Sequence, residues 1–472
     1  MATSLEARQV CSDRPAVQVL NGSSQQMQST LFRQSASVFL AQAMLLLCGV
    51  LSNFLVAYLA GPEGRGLIYL LQFIAGGVGL ILLNFGLGPA SVFYLGREGR
   101  HSLSEVAAGL LWASLLLGVL PMAILGPLWP WAAALFTAKL AAPYLWMAMA
   151  VIPAMNLTFN VGFLCLARKR IGAYNWLRIS PSVVFSVSLL VLLFSRSHKV
   201  WLVALAWAAT TVIPGLFALH IVRSAGGIRW WTGAAKFLRS AFRFGWQSHL
   251  GAVTQYLQHR SDVLLVGYFL PLKDLGLYVF GVGLAELLWN VPQAVATVLM
   301  PHLAGNPEEE AGRITPLVCR ATLALTVLLS VGLVVASTWL IPWILPAFRS
   351  SVRVLWLLIP GTITGSIFLV LSSDFNGRGK PIETFYPASI ALGMGLACGI
   401  LVIPRFGING AAVVTTSGYV LNTSLYVRAY SRMTAVPIAN LLFVQSSDVA
   451  IAKRLWQEWK ARAWSRVNQC AF

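Results

Sequence analysis

The sequence predicts an all-α polytopic membrane protein of about twelve transmembrane helices, set as two six-helix bundles around a central cavity. Three observations carry that reading. Charged residues are scarce: 34 Lys and Arg with 15 Asp and Glu make up 10% of 472 residues, against roughly 25% in soluble domains. Apolar types reach 57%, and mean hydropathy is +0.73. The apolar residues also fall in blocks of about 20, the length a helix needs to cross about 30 Å of hydrocarbon.

Taken in order, the first block, 35–59, ends at the Gly61-Pro62 turn, and the second, 67–95, stops before Arg97 and Arg100. Blocks 105–128 and 141–166 follow, the latter closing on Arg168-Lys169-Arg170, and 179–195 and 200–222 flank Arg196 and Lys199. After a basic run from Arg223 to Arg243 come 246–270 and 277–300, joined by the turn Pro271-Leu-Lys-Asp-Leu-Gly276. The last four are 315–342, 352–373, 383–404 and 409–430. The domain reading is a cytoplasmic tail over 1–30, a first bundle over 31–223, an interfacial linker over 224–243, a second bundle over 244–430 and a basic tail over 431–472.

Charge placement fixes the expected orientation. With a cytoplasmic N-terminus, 25 Lys and Arg fall on the cytoplasmic side and 8 opposite, Arg65 among them, while Arg260 lies within a span. Both termini are therefore expected to face the cytoplasm across the plasma (inner) membrane. The net charge of +19 follows from this placement, so nucleic acid is not an expected partner. The first thirty residues lack the h-region of a cleaved signal, so the first span is expected to remain as an anchor. The tail from Lys453 to Trp464 carries tryptophans and cations suited to the membrane interface.

An internal repeat organises the blocks. A shift of 210 residues lays Leu55-Val56-x-Tyr58 with Gly66-Leu67 onto Leu265-Val266-x-Tyr268 with Gly276-Leu277. Helix 1 thus matches helix 7, an odd-to-odd correspondence that makes the repeat parallel and puts the natural cavity between the halves.

Helix 7 cannot face lipid throughout. It carries Gln247, His249, Gln255, Gln258, His259, Arg260 and Asp262, and Arg or Asp at a helix centre costs about 2.5–3.5 kcal/mol on insertion scales. The spacing of Ser248, Gln255, His259 and Asp262 predicts one polar stripe facing a cavity. Asp262 and Glu286 are each 12 residues from position 274 in the turn, which places them at one depth, roughly 18 Å from the turn. Arg260 can then reach either, and His259 lies beside them. This set is either a structural ion pair or an ion-coupling site in which one carboxylate is free to titrate. In the first half, Asn156 and Asn160 are four apart on helix 4 and are expected either to offer amides to sugar hydroxyls or to bond between helices.

No catalytic or metal set is apparent: Gly-x-Ser-x-Gly, Walker-type and His-Glu-x-x-His motifs are absent, and the six cysteines stand singly. The expectation is a protein that is not an enzyme and uses no cofactor. A polytopic transferase acting on a polyprenyl donor is the runner-up from another class, and the short connections weigh against it.

The sequence also resembles a known family. Leu59-Ala-Gly-Pro-Glu-Gly-Arg-Gly66, Asp262 with the following Val-Leu-Leu-Val-Gly-Tyr, Leu275-Gly-Leu-Tyr278, Leu287-Leu-Trp-Asn-Val-Pro292 and Phe406-Gly-Ile-Asn-Gly-Ala-Ala412 resemble the polysaccharide-biosynthesis flippases of the multidrug/oligosaccharidyl-lipid/polysaccharide exporter superfamily. The resemblance covers about residues 30–430. It implies movement of a polyprenyl-pyrophosphate-linked glycan to the outer leaflet for lipopolysaccharide or exopolysaccharide export, with membrane lipid around it. It leaves open work beside a polysaccharide polymerase or export machinery. On that resemblance Arg260 would contact pyrophosphate, with His259, Gln255, Asn156 and Asn160 as further substrate-binding residues and Asp262 and Glu286 in ion coupling. A cation-coupled multidrug exporter of the same superfamily is the alternative, and the lack of acids in helix 1 weighs against it.

Overall fold

The computed structural model describes residues 14–96, 101–125, 140–226, 231–304, 308–378, 380, 382–443, 445 and 448, and the regular elements among them are all helical. The interfacial tail from Lys453 onward and residues 1–13 lie outside the described residues. So do the side chains of the acidic run Glu308-Glu309-Glu310 and of Ser248.

α1 (Arg14–Gln72) is a hairpin whose two arms meet at Gly61, with φ of 65°, followed by Pro62. Glycine takes that left-handed conformation without a Cβ clash, and proline starts the second arm. The first arm reaches back to Arg14, so part of the segment read as a tail is helical. The second arm passes into a π-helical stretch, Phe73–Leu82, breaks at Asn84 to Gly86, and resumes as α2 (Leu87–Gly96). The first bundle is completed by α3 (Leu103–Leu125), α4 (Ala142–Ala150), α5 (Ile152–Ala167), α6 (Ile171–Phe194), α7 (Val200–Ala209) and α8 (Val212–Ser224). Two expected spans are therefore broken rods, interrupted just before Pro153 and Pro214, where the missing N–H disrupts the ladder.

α9 (Trp231–Phe269) opens the second half and turns at Pro271 into α10 (Leu272–Glu286). A 3₁₀ turn (Leu287–Trp289) leads to α11 (Asn290–Ala304). There follow α12 (Glu308–Ile344), α13 (Arg349–Gly377), α14 (Ile382–Thr434), itself a hairpin bent at Gly407, and the short α15 (Ala439–Leu442). Among the described residues, nine helical stretches are long and apolar enough to cross a membrane, and the bends at Gly61 and Gly407 fold two of these back on themselves. α9, with its polar face, is not one of the nine, so the helices follow the expected blocks while the count of twelve stays an expectation.

Most of the segment expected as an interfacial linker is helical. The expected boundary at 243/244 falls inside α9, which runs unbroken from Trp231; one face of its first turns packs inward, while Lys236, Arg239 and Arg243 on the other face stay exposed. Ala234, Phe237 and Ala241 are fully buried in one apolar cluster with Val106 and Leu110 of α3 and Val222 of α8. Phe237 occupies the space a side chain at Gly109 would need, 2.5 Å from that position.

The halves meet at the tips of the two hairpins in a reciprocal contact. A methyl on Gly66 would lie 2.2 Å from the Leu272 carbonyl oxygen, and one on Gly276 would lie 1.7 Å from the Pro62 carbonyl oxygen. Positions 66 and 276, like 62 and 272, are related by the 210-residue shift. Contacts of the form i to j and j to i are what a two-fold axis imposes on an interface, so the repeat is expressed in three dimensions. Below the tips, Ala57 and Leu70 of α1 enter the core formed by Val266, Leu275 and Leu277, and Phe54 meets Phe280 edge-on at 5.5 Å. The tip end is a closely packed seam.

Candidate functional site

A cavity of about 730 Å³ lies between the halves, within the roughly 300–1,000 Å³ of small-molecule sites. It extends from Arg65, near the sealed tips, down to Gly49, Ala252 and Gln293. α9 contributes Gln255, Tyr256, His259 and Arg260, and α10 with the turn after it contributes Glu286 and Trp289.

Arg260 and Glu286 bridge α9 and α10 on the cavity wall. Nη1 lies 2.8 Å from Oε1, and Nη2 donates to Oε2 at 3.1 Å. This two-pronged arrangement suits a guanidinium and a carboxylate, and it exists because the hairpin brings both residues to one depth. Both side chains stay about a quarter exposed to the cavity.

Asp262 does not join them, which corrects the expected constellation. It is buried against α10 and the second arm of α14. Its carboxylate accepts from the Tyr278 hydroxyl at 2.5 Å, the Thr415 hydroxyl at 2.9 Å and the Val263 N–H at 2.7 Å. Positions 260 and 262 are two residues apart on one helix, a rotation of about 200°, so their side chains cannot share a direction. The stripe divides for the same reason: Gln255 and His259 line the cavity, while Asp262, at its edge, is drawn to Tyr278 and Thr415. Beside Asp262 is a separate void of about 20 Å³, lined also by Gln258, Ser261 and Tyr419. It exceeds the roughly 10–15 Å³ that one water needs, so it has room for one water-sized species and is too small for an organic substrate.

His259 stands at the boundary between the two sites. Its ring packs against Trp289 at 5.2 Å, Phe368 at 5.6 Å and Tyr419 at 5.9 Å. Tyr419 also borders the Asp262 void, so one aromatic group touches both compartments.

Asn156 and Asn160 lie away from the cavity. The Asn84 amide donates to Asn156 Oδ1 at 3.1 Å and to Asn160 Oδ1 at 3.2 Å. Asn160 donates to Ser114, and Asn156 donates to the Gly79 carbonyl at 3.0 Å. Gly79 belongs to the π-helical stretch, where the backbone departs from regular bonding. Irregular backbone at membrane depth persists only when its polar groups find partners, and these asparagines supply one. Of the two alternatives the sequence left for them, bonding between helices is the one their geometry satisfies.

Arg65 is the residue that sequence reasoning missed, having been placed among outer-side loop cations. It is buried, lines the cavity, and its Nε and Nη2 donate to Asn53 Oδ1 at 3.2 and 2.9 Å. Its guanidinium also sits over the Tyr69 ring at 5.8 Å. The available signal was Asn53, which with Gln42 and Ser52 is one of the few polar side chains of the first span.

At the opposite end of the second half, buried Asp374 pairs with Arg378 and accepts from the Thr315 hydroxyl at 2.5 Å. Nearby, Arg320 holds Asp448 through Nε at 2.5 Å and Nη2 at 2.7 Å, and also donates to the Asn440 carbonyl. These groups pin the chain that follows α15.

Two repeated helical halves that enclose a charged cavity sealed at one end define the class: a membrane transporter built as a parallel repeat. Comparison with known proteins then places it. The family model for polysaccharide biosynthesis proteins matches residues 31–306, and the chain belongs to that family, within the multidrug/oligosaccharidyl-lipid/polysaccharide exporter superfamily. A curated relative from Haloferax volcanii, a probable low-salt glycan biosynthesis flippase (Agl15), is 22% identical over 206 residues, 43% of this chain. The aligned stretch spans 44% of that relative's length. Among solved structures, the lipid II flippase MurJ in an inward closed conformation has a TM-score of 0.67 at 15% identity, covering 87% of this chain and 89% of that one. An inward-facing multidrug resistance transporter of the MATE family has a TM-score of 0.60 at 15% identity, with 84% and 95% covered. These two likenesses show a shared fold.

Proposed function

We propose that this protein flips a polyprenyl-pyrophosphate-linked oligosaccharide from the cytoplasmic to the outer leaflet of the plasma (inner) membrane by ion-coupled alternating access. The observation that carries the reading is the junction of two unlike spaces. At Val50 and Leu287 the cavity that holds Arg65, Arg260 and Glu286 adjoins a groove of about 440 Å³ lined by Leu46, Leu47, Leu51 and Phe54. An amphiphile fits that pairing: the glycan head occupies the cavity while the hydrocarbon tail stays in the apolar groove and the bilayer beyond. Cavity charge supports the same choice. Arg65 and Arg260 face one Glu286, an excess that favours an anionic glycolipid, with Arg260 at its pyrophosphate, over the cationic compounds a multidrug exporter would carry.

The Asp262 void supplies the coupling element in this reading. A carboxylate with three donors and space for one small species binds or releases a cation as α10 and α14 shift around it. Tyr278 and Thr415 come from those two elements, so occupancy at Asp262 bears directly on how they pack. The sealed Gly66–Gly276 tips are assigned to the outer face, consistent with the basic residues at the opposite ends.

Surface polysaccharide and polyprenyl-linked intermediate in a strain depleted of the protein test the proposal. The expected result is accumulated intermediate on the cytoplasmic face, rescued by the wild-type chain and not by Asp262→Asn. Normal surface glycan together with raised sensitivity to cationic compounds would replace this reading with drug export.

A further inference from the structure

Beside the main cavity the first half holds a second one, of about 220 Å³, between the two arms of α1 and α6, and nothing above assigns it a role. It shares Gly49, Asn53 and Arg65 with the main cavity and adds Ser52, Gln72 and Ser182, with Phe185 as an aromatic wall. Its volume is below the roughly 300 Å³ at which whole small-molecule sites begin, and it is on the scale of a single sugar ring. Most of its polar groups are neutral hydrogen-bonding types. Gln72 and Ser182 have side-chain polar groups with no protein hydrogen bond among the described residues, whereas Ser52 bonds Ser186 at 2.9 Å.

Arg65 gives the space its charge. It is 8% exposed, and no carboxylate pairs with it among the described residues; its polar partner is the neutral Asn53 amide. The other cavity guanidinium, Arg260, is already matched by Glu286. The uncompensated positive charge of the site therefore resides on Arg65, at the mouth of the side cavity. A buried cation is costly to keep without a counter-charge, and a ligand can supply one.

Resting on the flippase reading above, we propose that the side cavity is a subsite for one acidic sugar of the transported glycan. Arg65 holds the carboxylate of a pyranose, Gln72 and Ser182 meet its hydroxyls, and Phe185 covers its apolar face. The subsite makes an anionic sugar part of the recognised unit, separately from the pyrophosphate linker.

Ligand-observed NMR titration of the purified full-length chain in detergent tests this with three probes: methyl glucuronide, methyl glucoside and farnesyl pyrophosphate. The wild-type chain is expected to prefer the glucuronide over the glucoside by about tenfold or more. Asn53→Asp is the decisive variant. It is nearly isosteric and places a carboxylate 2.9 Å from the guanidinium, so the fold keeps or gains stability while the charge is neutralised from within. The sugar preference is expected to fall to within about twofold, with farnesyl pyrophosphate affinity changed less than about threefold. Arg65→Gln should do the same. Equal wild-type affinity for the two sugars overturns the proposal, as does a preference that survives Asn53→Asp. If these substitutions abolish pyrophosphate binding and leave the sugar preference intact, Arg65 serves the linker and the subsite is wrong. If none of the three probes binds the wild-type chain, it is the flippase reading that fails.

Discussion

Gly276→Ala should separate the two halves at their sealed end. The added methyl would sit 1.7 Å from the Pro62 carbonyl oxygen and close to the Gly66 nitrogen, 2.9 Å away. Both are backbone atoms, so no rotamer change relieves the overlap. Reaching an ordinary contact of about 3.5 Å requires one hairpin tip to retreat by close to 2 Å, and overpacking of this kind costs roughly 1–3 kcal/mol or more. That strain exists only while the tips are together. It therefore destabilises the tip-closed state relative to the tip-open one, and each 1.4 kcal/mol changes the ratio of the two about tenfold. Glu63 and Lys273 are exposed at the two tips and are themselves related by the 210-residue shift. Spin labels at these positions report the separation by pulsed electron resonance. The wild-type chain should give a short, dominant distance, and Gly276→Ala should move much of the population to a longer one. Gly332→Ala, at a position with open space around it, should leave the distribution unchanged. A Gly276→Ala protein that folds normally and keeps the wild-type distribution would show that contact at these glycines does not set the separation of the tips.

Three further outcomes follow from the same geometry. Arg260→Gln and Glu286→Gln should each lower thermal stability more than the double substitution does, because each single change strands a charge; additive losses in a double-mutant cycle would contradict a coupled pair. Tyr278→Phe removes a hydroxyl donor from the buried Asp262 carboxylate, worth about 1.5–3 kcal/mol for a bond to a charged group, and should reduce ion-gradient-driven transport more than substrate binding; unchanged transport would remove Tyr278 from the coupling site. The hydrogen bonds from Arg320 hold the Asp448 carboxyl below its usual range. The docking of the segment after α15 should therefore be intact above the ordinary carboxylate pKa of about 3.9 and loosen as pH falls below it. Protease sensitivity after Thr434 reads this out, with Asp448→Asn showing the loosened behaviour at neutral pH; equal wild-type protection at neutral pH and well below about pH 3.9 would contradict it.

Much of this architecture was legible because membrane helices announce themselves by length and apolarity, and a repeat announces itself by matched residues. Gly66 and Gly276 were visible as equivalent positions, and the structure brings them into contact. The depth match of Asp262 and Glu286 was legible from counting residues to the turn, and Arg260 does reach Glu286. Counting along a hairpin fixes depth and says little about azimuth, which is why Asp262 faces α14 instead. Its partners Tyr278 and Thr415 are 16 and 153 residues away in sequence, and no local pattern links them. Arg65 was misread because a cation beside a turn looks like a loop residue; only the packing of the tips draws it inward onto Asn53. The broken second span was hidden too, since the glycines of Phe73–Leu82 read as an ordinary apolar run, and the asparagines that support it come from α5.

Reconstitution tests ion-coupled flipping most directly. The purified chain is placed in liposomes carrying a fluorescent short-chain polyprenyl-pyrophosphate glycan in both leaflets, and a membrane-impermeant reductant is added outside under an imposed proton or sodium gradient. The wild-type chain is expected to expose lipid from the inner leaflet, so that well beyond half of the signal is quenched, at a rate set by one of the two gradients. Asp262→Asn is expected to lose that dependence. Quenching that halts at the outer-leaflet fraction for the wild-type chain under every gradient would contradict ion-coupled flipping.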